Sequence, residues 1–439
     1  MLGLIVGNFR PLGAAEPETP PFAHAPQVTL SVVRVLDGDF AYISDADLAA
    51  MLATARRMYA DKFGVDHVRF IDAGRLSIES FFERFLDKKS EAYRRRDARR
   101  FHVGEANDFS RHKQTIMAFL KKWSLDELQG FFPAEERARY ASYEDVHAGI
   151  VEQMTEKVAE IATLQVGGKP LLRPEKAEYR SFLNWLAALE LQDRYDVVLT
   201  NGFILYDDMS QPSPHSIFST CKVGGVSAKS PKRPALDGRV IMGSTFGMDT
   251  DIPFFKETAG ATPRDRRNDV TGAYVIAHEL GHAIFKLPDH YNHGPECLMN
   301  NAKNQSYEEG YALLVAHPGP CAKCAVWLSA RDAFWDGEYF FSRQEWKAAI
   351  DAYTKALKQT PQNVDGHYGE YVARVAYRMS RAYAALGDWP LALKGVETAL
   401  RFYQWDPAYA EWKKDVEAHL KGASAPPPAA QPSAASSAP

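Results

Sequence analysis

The spacing of hydrophobic residues changes twice near the start of the chain, which predicts a strand, a helix and a second strand. The run VTLSVVRVL (28 to 36) is β-branched and typical of a buried strand, and HVRFIDAG (67 to 74) predicts another. Between them, LAAMLATARRMYADKF places apolar residues at helical spacing. Ser44 and Asp47 form a capping-box pattern before this helix, and Gly64 is a stop signal after it. This order indicates an α/β beginning.

The middle of the chain predicts a large helical segment and then a return to strands. From about 75 to 193, Phe, Leu and Trp recur three and four residues apart, so we expect a helical insertion there. The segments 195 to 208 and 238 to 246 then have strand character. A helix is predicted at 270 to 285, and apolar residues on several of its sides indicate that it is buried.

A third region, from 331 to 421, predicts tetratricopeptide-like helical hairpins followed by a closing helix at 406 to 420. Small and aromatic residues match the repeat in 337 to 361 and again in 380 to 400. The matching positions are Gly337, Phe340, Ala349, Tyr353, Ala356 and Pro361 in the first unit and Tyr383, Gly387, Ala392 and Ala399 in the second. We expect this region to bind a protein partner or to present a protein substrate.

The composition near both ends of the chain predicts disorder. Residues 8 to 26 are rich in Pro, Ala and Glu, and residues 422 to 439 are of low complexity, so we expect the segments 1 to 26 and 422 to 439 to be disordered. The predicted organisation is therefore an α/β (α+β) domain at 27 to 330 with a mixed sheet, interrupted by the insertion at about 75 to 193. The helical hairpins at 331 to 421 follow it.

Composition and charge exclude several classes of protein. With 439 residues, of which 46% are hydrophobic and 25% charged, the chain has enough apolar residues for more than one core. The net charge of −4 provides no global attraction to nucleic acid. The basic run at 93 to 100 is interpreted as a solvated helix face. No apolar segment is long enough to span a membrane. The compartment stays open, with the cytoplasm slightly favoured over the periplasm or secretion.

The segment HELGHAIFKLPDHYNHGPECLMN (278 to 300) carries the chemistry. On a helix, His278 and His282 face the same way and can place two imidazole nitrogens on one metal ion, while Glu279 lies within reach of a metal-bound water. Zinc lowers the pKa of such a water toward neutrality, and the carboxylate can take its proton. A catalytic zinc needs a third protein ligand, for which Asp289, His290 and His293 are candidates.

The four cysteines are too few for a disulfide scaffold. Cys297, Cys321 and Cys324 lie close together in sequence and beside several histidines, which favours a metal site. A redox pair of Cys321 and Cys324 is the alternative. Cys221 has no evident partner and is interpreted as a buried cysteine.

These motifs together resemble the archaemetzincins, a group of metzincin zinc peptidases. The resemblance rests on HELGH (278 to 282), on Cys297-Leu298-Met299, and on the later pair Cys321 and Cys324, in that order. It implies a metzincin-like fold, one catalytic zinc, and a second, structural zinc on the cysteines. It further implies that Met299 forms an apolar floor under the catalytic metal. The edge strand before the active-site helix, for which 238 to 248 is the candidate, would pair with an extended substrate.

The chain departs from the family at the third ligand. The family pattern would place Gly at 285, His at 288 and Cys after its third His, where this chain has Phe285, Pro288 and, after His290, Tyr291. Three assignments stay open. His290 can be the third ligand, with His293 joining the cysteines. Asp289 can take that place. A helical glutamate, Glu308 or Glu309, is the third choice, and Cys221 is a fallback ligand for the structural zinc.

The sequence therefore predicts a zinc-dependent metallopeptidase in which Glu279 is the general base. Its partners would be a peptide or protein substrate and a protein bound by the C-terminal repeats, with no nucleic acid and no membrane span. Two alternatives come from other classes. One is an interaction scaffold with a purely structural zinc, and the other is a metal-dependent hydrolase that acts on something other than peptides.

Overall fold

The computed structural model of the chain describes residues 20–86, 113–129, 132, 135–207, 224–230, 233–246, 265–288, 294–300, 307–361, 366–404 and 406–421. Its strands are β1 Val28–Leu36, β2 Val68–Ser77, β3 Gln165–Val166, β4 Lys169–Pro170, β5 Val197–Thr200, β6 Gly225–Lys229 and β7 Arg239–Ser244. The first seven helices are α1 Asp45–Phe63, α2 Ile78–Leu86, α3 Lys113–Leu120, α4 Leu125–Gln129, α5 Tyr143–Thr163, α6 Ala177–Arg180 and α7 Phe182–Leu191.

Helix α8 is continuous and consists of Arg267–Thr271, Gly272–Ala277, His278–Leu280 and Gly281–Phe285, of which the second and fourth parts have π-helical hydrogen bonding. The remaining helices are α9 Tyr307–Ala316, α10 Ala322–Ser342, α11 Trp346–Gln359, α12 Gly366–Ala385, α13 Trp389–Phe402 and α14 Pro407–Leu420. Among the described residues, no helix is long and apolar enough to cross a membrane. The basic run at 93 to 100, the C-terminal tail at 422 to 439 and Cys221 lie outside the described residues.

Five strands form one mixed sheet in the order β2-β1-β5-β7-β6. Strands β2, β1, β5 and β7 are parallel, and β6 is antiparallel to β7. The expected mixed α/β fold class is confirmed. The expectation that the segment 238 to 248 is the edge strand is wrong, because β6 pairs with the outer side of β7 and every residue of β7 is buried. In the described part of the chain, the edge strand at this end of the sheet is β6.

Both faces of the sheet are covered, as the apolar runs of the parallel strands require. On one face, Leu30 of β1 and Leu199 of β5 pack in a core with α1, α8 and α10. On the opposite face, Val33 of β1 and Val198 of β5 pack against Trp185 of α7 and other helices of the segment between β2 and β5. Successive strand residues thus enter different cores. The helical segment predicted as an insertion forms the second covering layer of the sheet.

The local signals at the ends of α1 are confirmed. The Ser44 hydroxyl accepts a hydrogen bond from the Asp47 amide at 3.0 Å, and the Asp47 carboxylate accepts one from the Ser44 amide at 3.0 Å. Gly64 ends the helix in the left-handed conformation with φ of 77°. These caps fix where helix α1 begins and ends.

The C-terminal helices form hairpins that continue the first core. In the hairpin of α10 and α11, Gly337 lets the Tyr353 ring approach so closely that a Cβ at 337 would lie 2.4 Å from it. Tyr353 of α11 and Tyr371 of α12 belong to the same buried cluster as Leu30 and Leu199 of the sheet. Helix α10 runs through position 331, so the domain boundary expected at 330/331 falls inside a helix.

The expected N-terminal disorder does not extend to residues 20 to 26. Phe22 packs against Phe285 and Trp335, and its amide donates a hydrogen bond to Asp332 of α10 at 2.8 Å. His24 stacks on Tyr339. The contacts of the Phe22 ring hold this short turn against α10 and the end of α8. Residues 1 to 19 lie outside the described part of the chain.

Candidate metal sites

Helix α8 carries the histidine motif in the buried centre of the molecule. It packs against α1 so closely that a Cβ on Gly272 would lie 2.4 Å from the Met51 carbonyl oxygen. His278, Glu279 and His282 are each less than a tenth exposed. One π-helical turn precedes the motif and a second includes His282, and such turns are frequent at functional sites.

The two histidines point their Nε2 atoms at each other. The distance between His278 Nε2 and His282 Nε2 is 3.0 Å. His278 Nδ1 donates to the Leu298 carbonyl at 2.9 Å, and His282 Nδ1 donates to the Leu287 carbonyl at 2.5 Å. Because a carbonyl can only accept, each neutral imidazole carries its proton on Nδ1 and presents a lone pair on Nε2. Two such nitrogens on one tetrahedral zinc would be about 3.3 Å apart, so the pair fits a shared metal ion.

Glu279 lies against the edge strand β6. An ideal Cβ on Gly225 would be 2.6 Å from Glu279 Oε1, so the absence of a side chain at 225 gives the carboxylate its space. Among the described residues, no third His, Cys, Asp or Glu joins His278 and His282 in a compact ligand group. Glu279 thus lies next to the histidine pair and against β6 without joining the histidines in such a group.

A tight turn at residues 297 to 299 lies under the motif helix. The turn is closed by a hydrogen bond from the Asn300 amide to the Cys297 carbonyl at 3.0 Å. Its middle residue, Leu298, holds His278 through the carbonyl, and Met299 is fully buried. A Cβ on Gly281 would lie 2.6 Å from the Met299 sulfur, so the methionine fills the space below the helix between the two histidines.

Helix α8 ends at a residue that sequence reasoning did not identify. Lys286 adopts the left-handed conformation, with φ of 59° and ψ of 30°, and the next amide, of Leu287, donates back to the Gly281 carbonyl at 3.2 Å. The chain therefore reverses at 286, whereas Phe285, where the family pattern has glycine, remains helical and buried.

The structure describes only two of the candidates for the third ligand. Asp289, His290 and His293 lie outside the described residues. Glu308 and Glu309 are on α9 with exposed side chains, unlike the buried histidine pair.

A second candidate metal site is formed by Cys297, Cys321 and Cys324, hereafter the thiol cluster. The three sulfur atoms lie within 4.8 Å of one another, and none is in a disulfide. The Cys297 and Cys324 sulfurs are 3.6 Å apart, close to the separation of about 3.8 Å between two thiolates on a tetrahedral zinc. Cys321 caps α10 by accepting from the Cys324 amide at 3.4 Å.

The pKa values of two thiols in the cluster are raised by burial and by their neighbouring sulfur atoms. The hydrogen bond with Cys321, together with burial, raises the pKa of Cys297 to about 12. The hydrogen bonds of Cys324 with Cys297 and Cys321 raise the pKa of Cys324 well above the usual thiol range. Adjacent buried thiolates repel one another. A bound cation reverses that preference, since thiols lose their protons when they coordinate a metal. A metal ion can therefore bind this group.

Sequence reasoning identified the thiol cluster but missed Gly225, Lys286 and a third residue, Lys62. Lys62 lies in the last turn of α1, on the helical stripe of Ala55 and Met58, and is only 2% exposed. The sequence signal that could have identified Lys62 is its place on the apolar stripe of an amphipathic helix, where a charged side chain is unusual.

Comparison of the chain with protein-family models, with curated proteins and with solved structures gave no match.

Proposed function

We propose that the protein is a zinc-dependent peptidase with a metzincin-like fold. The observation that carries this proposal is the approach of His278 Nε2 to His282 Nε2 at 3.0 Å, with both Nδ1 atoms held by backbone carbonyls. A hydrogen bond to the ring nitrogen that does not bind the metal fixes the tautomer and the ring orientation that metal binding needs.

The residues of the histidine site have distinct roles in this proposal. A zinc ion held by His278 and His282 would supply a Lewis acid for water and for the substrate carbonyl. Glu279 takes a proton from the attacking water and delivers it to the leaving amine. Its burial beside β6 keeps the carboxylate at the reacting bond. The third ligand is proposed to be His290 or Asp289.

The substrate is proposed to bind along β6. Among the described strands, β6 is the edge of the sheet on the side of β7, and its Gly225 lies against Glu279. An extended peptide that added to this edge would bring its backbone to Glu279. The sheet order thus supports β6 in the role that the sequence suggested for 238 to 248.

The second metal is proposed to be structural. The thiol cluster lies next to the turn that holds His278, and His293 is the proposed fourth ligand. The hairpins of α11 to α14 are proposed to be tetratricopeptide-like and to bind a protein partner or substrate.

Substitution of the general base tests the peptidase directly. We expect Glu279→Gln to lower peptide hydrolysis at least about a hundredfold with the zinc content unchanged, because the amide cannot accept the proton. The assay uses the purified full-length chain with a mixed peptide library, and metal is measured by mass spectrometry. Glu411→Gln, at an exposed position of α14, is the control. Hydrolysis by Glu279→Gln at the wild-type rate would disprove the proposal.

The alternative is an interaction scaffold with a purely structural metal. It is favoured by the observation that, among the described residues, the thiol cluster is the one group with three possible metal ligands close together. A double variant, His278→Ala with His282→Ala, separates the two. Loss of one zinc with retained folding supports the peptidase, while an unchanged zinc content, or unfolding, supports the scaffold. If the library is not cut but other ester or amide substrates are, the enzyme is a hydrolase of a different kind.

A further inference from the structure

Lys62 is a buried lysine whose surroundings are unusual for a structural residue. Its side chain lies between the end of α1 and the two loops that carry the thiol cluster. Burial lowers the pKa of Lys62, while the nearby Cys297 is the largest influence in the opposite direction. A buried ammonium is costly unless polar or charged groups compensate for the loss of water.

The Lys62 ammonium connects the two loops. Its Nζ donates to the Glu296 carbonyl at 2.9 Å and, by a second short hydrogen bond, to the His317 carbonyl. Glu296 directly precedes Cys297, and His317 begins the loop that leads to Cys321. The neighbouring carbonyl of Asp61 also accepts from the Gly319 amide at 2.8 Å. The end of α1 therefore holds both segments that supply sulfur ligands, although α1 is more than 200 residues from either of them in sequence.

The charge of a metal-loaded cluster requires compensation. Three thiolates and one divalent cation carry a net charge of −1, which is costly in a buried site. Cys297 and Cys321 both act electrostatically on Lys62, together with Glu296 and Asp61. Within the described residues, Lys62 makes no ion pair with a carboxylate within 4.0 Å, and its hydrogen bonds go to neutral carbonyls. Its positive charge is thus available to the thiolates.

We propose that Lys62 is a positioning residue that aligns the loops of the thiol cluster and balances the charge of a divalent, thiol-preferring cation bound there. The inference requires metal binding by the thiols, and it does not require peptidase activity.

Metal titration of the full-length chain tests the inference. Co²⁺ is added to the metal-stripped, reduced protein, and the thiolate-to-cobalt absorption band reports binding at the cysteines alone; Zn²⁺ competition then gives the affinity. We expect Lys62→Met to bind about 10- to 100-fold more weakly, the usual cost of removing a partner around a metal site. Lys62→Arg, which keeps the charge and the donors, should stay within about threefold of wild type.

Two further variants keep the test decisive. Lys286→Met removes a second fully buried lysine and should leave the thiol-site affinity unchanged, so an equal loss there would reduce the Lys62 effect to general destabilisation and overturn the inference. If Lys62→Met does not fold, Lys62→Gln is titrated instead. Wild-type affinity in Lys62→Met or Lys62→Gln, or no thiolate band in the wild-type protein, would also overturn it.

Discussion

At the scale of single residues, the proposed site depends on positions where a side chain is absent. Gly225 is such a position, because a Cβ there would meet Oε1, Cγ and Cδ of Glu279 at 2.6, 3.1 and 3.2 Å. Gly281 makes similar room for Met299. Both glycines permit close packing, and neither has a positive φ that only glycine would accept.

Gly225→Ala should therefore displace the Glu279 carboxylate and lower kcat/KM for peptide hydrolysis by about 10- to 100-fold, since misplacement of a catalytic group by about 1 Å has effects of that size. Metal content should not change. Gly224→Ala is a matched control, because a Cβ at 224 would meet nothing within 4 Å. Equal activity of the two variants would contradict the proposed contact. Steady-state kinetics on one cleaved peptide provides the comparison.

At the scale of elements, the turn at 297 to 299 joins the two candidate metal sites. Cys297 belongs to the thiol cluster, Leu298 accepts the His278 hydrogen bond, and Met299 packs under Gly281. Three successive residues thus contact three different parts of the site. A change in the cysteines should reach the histidines through the backbone of this turn.

Cys324→Ser tests that coupling. We expect it to remove the metal from the thiol cluster and to weaken Zn²⁺ binding at the histidine pair by about tenfold, because the Leu298 carbonyl loses its anchor. Competition with a chromophoric chelator measures the affinity. Coupling is reciprocal, so occupancy of the histidine pair should tighten the thiol site by the same factor. Unchanged affinity at the histidine pair in Cys324→Ser would mean that the two sites are independent.

At the scale of the whole molecule, buried and partly buried ion pairs connect the C-terminal helices to the sheet. Asp237 accepts from Arg331 of α10 and pairs with Arg374 of α12 at 2.6 Å, while Arg239 of β7 pairs with Glu370 of α12 at 2.8 Å. These pairs lie beside the core that α10 and α12 share with the sheet. Removing one partner of such a pair leaves a buried charge without compensation. The helices after 331 are consequently part of the same folded body.

Lys286 gives this buried cluster a measurable pH dependence. Burial, followed by the repulsion of Arg239, lowers the pKa of Lys286 to about 7, against the attraction of Glu370 and Asp237. The unfolded lysine titrates near 10.4, so between about pH 7 and 10 the unfolded state binds more protons and the free energy of unfolding rises with pH. Below pH 7 the cost of burying the charge is fully present.

We therefore expect the free energy of unfolding of the wild type, relative to Lys286→Met, to increase from pH 7 to 10 with a slope of at most about 1.4 kcal/mol per pH unit. The comparison cancels the titration of other groups, such as buried tyrosines. Urea denaturation at several pH values measures it. A difference that does not vary with pH would show that Lys286 is not a buried, titrating ammonium.

Much of the local structure could be predicted from the sequence, because its causes lie within a few residues. The capping box at Ser44 and Asp47, the end of α1 at Gly64, and the helix under HELGH follow from neighbouring side chains and backbone hydrogen bonds. The pairing of His278 with His282 belongs to the same class, since residues four apart on a helix share a face.

Contacts between distant segments were decided only by the tertiary structure. The sheet order placed β6, and not β7, at the edge beside Glu279, and no local pattern reports strand order. The same holds for Lys62, whose hydrogen bonds reach Glu296 and His317 across more than 200 intervening positions. Periodicity records which side of an element is buried, but only packing of the whole chain selects the partner that it meets.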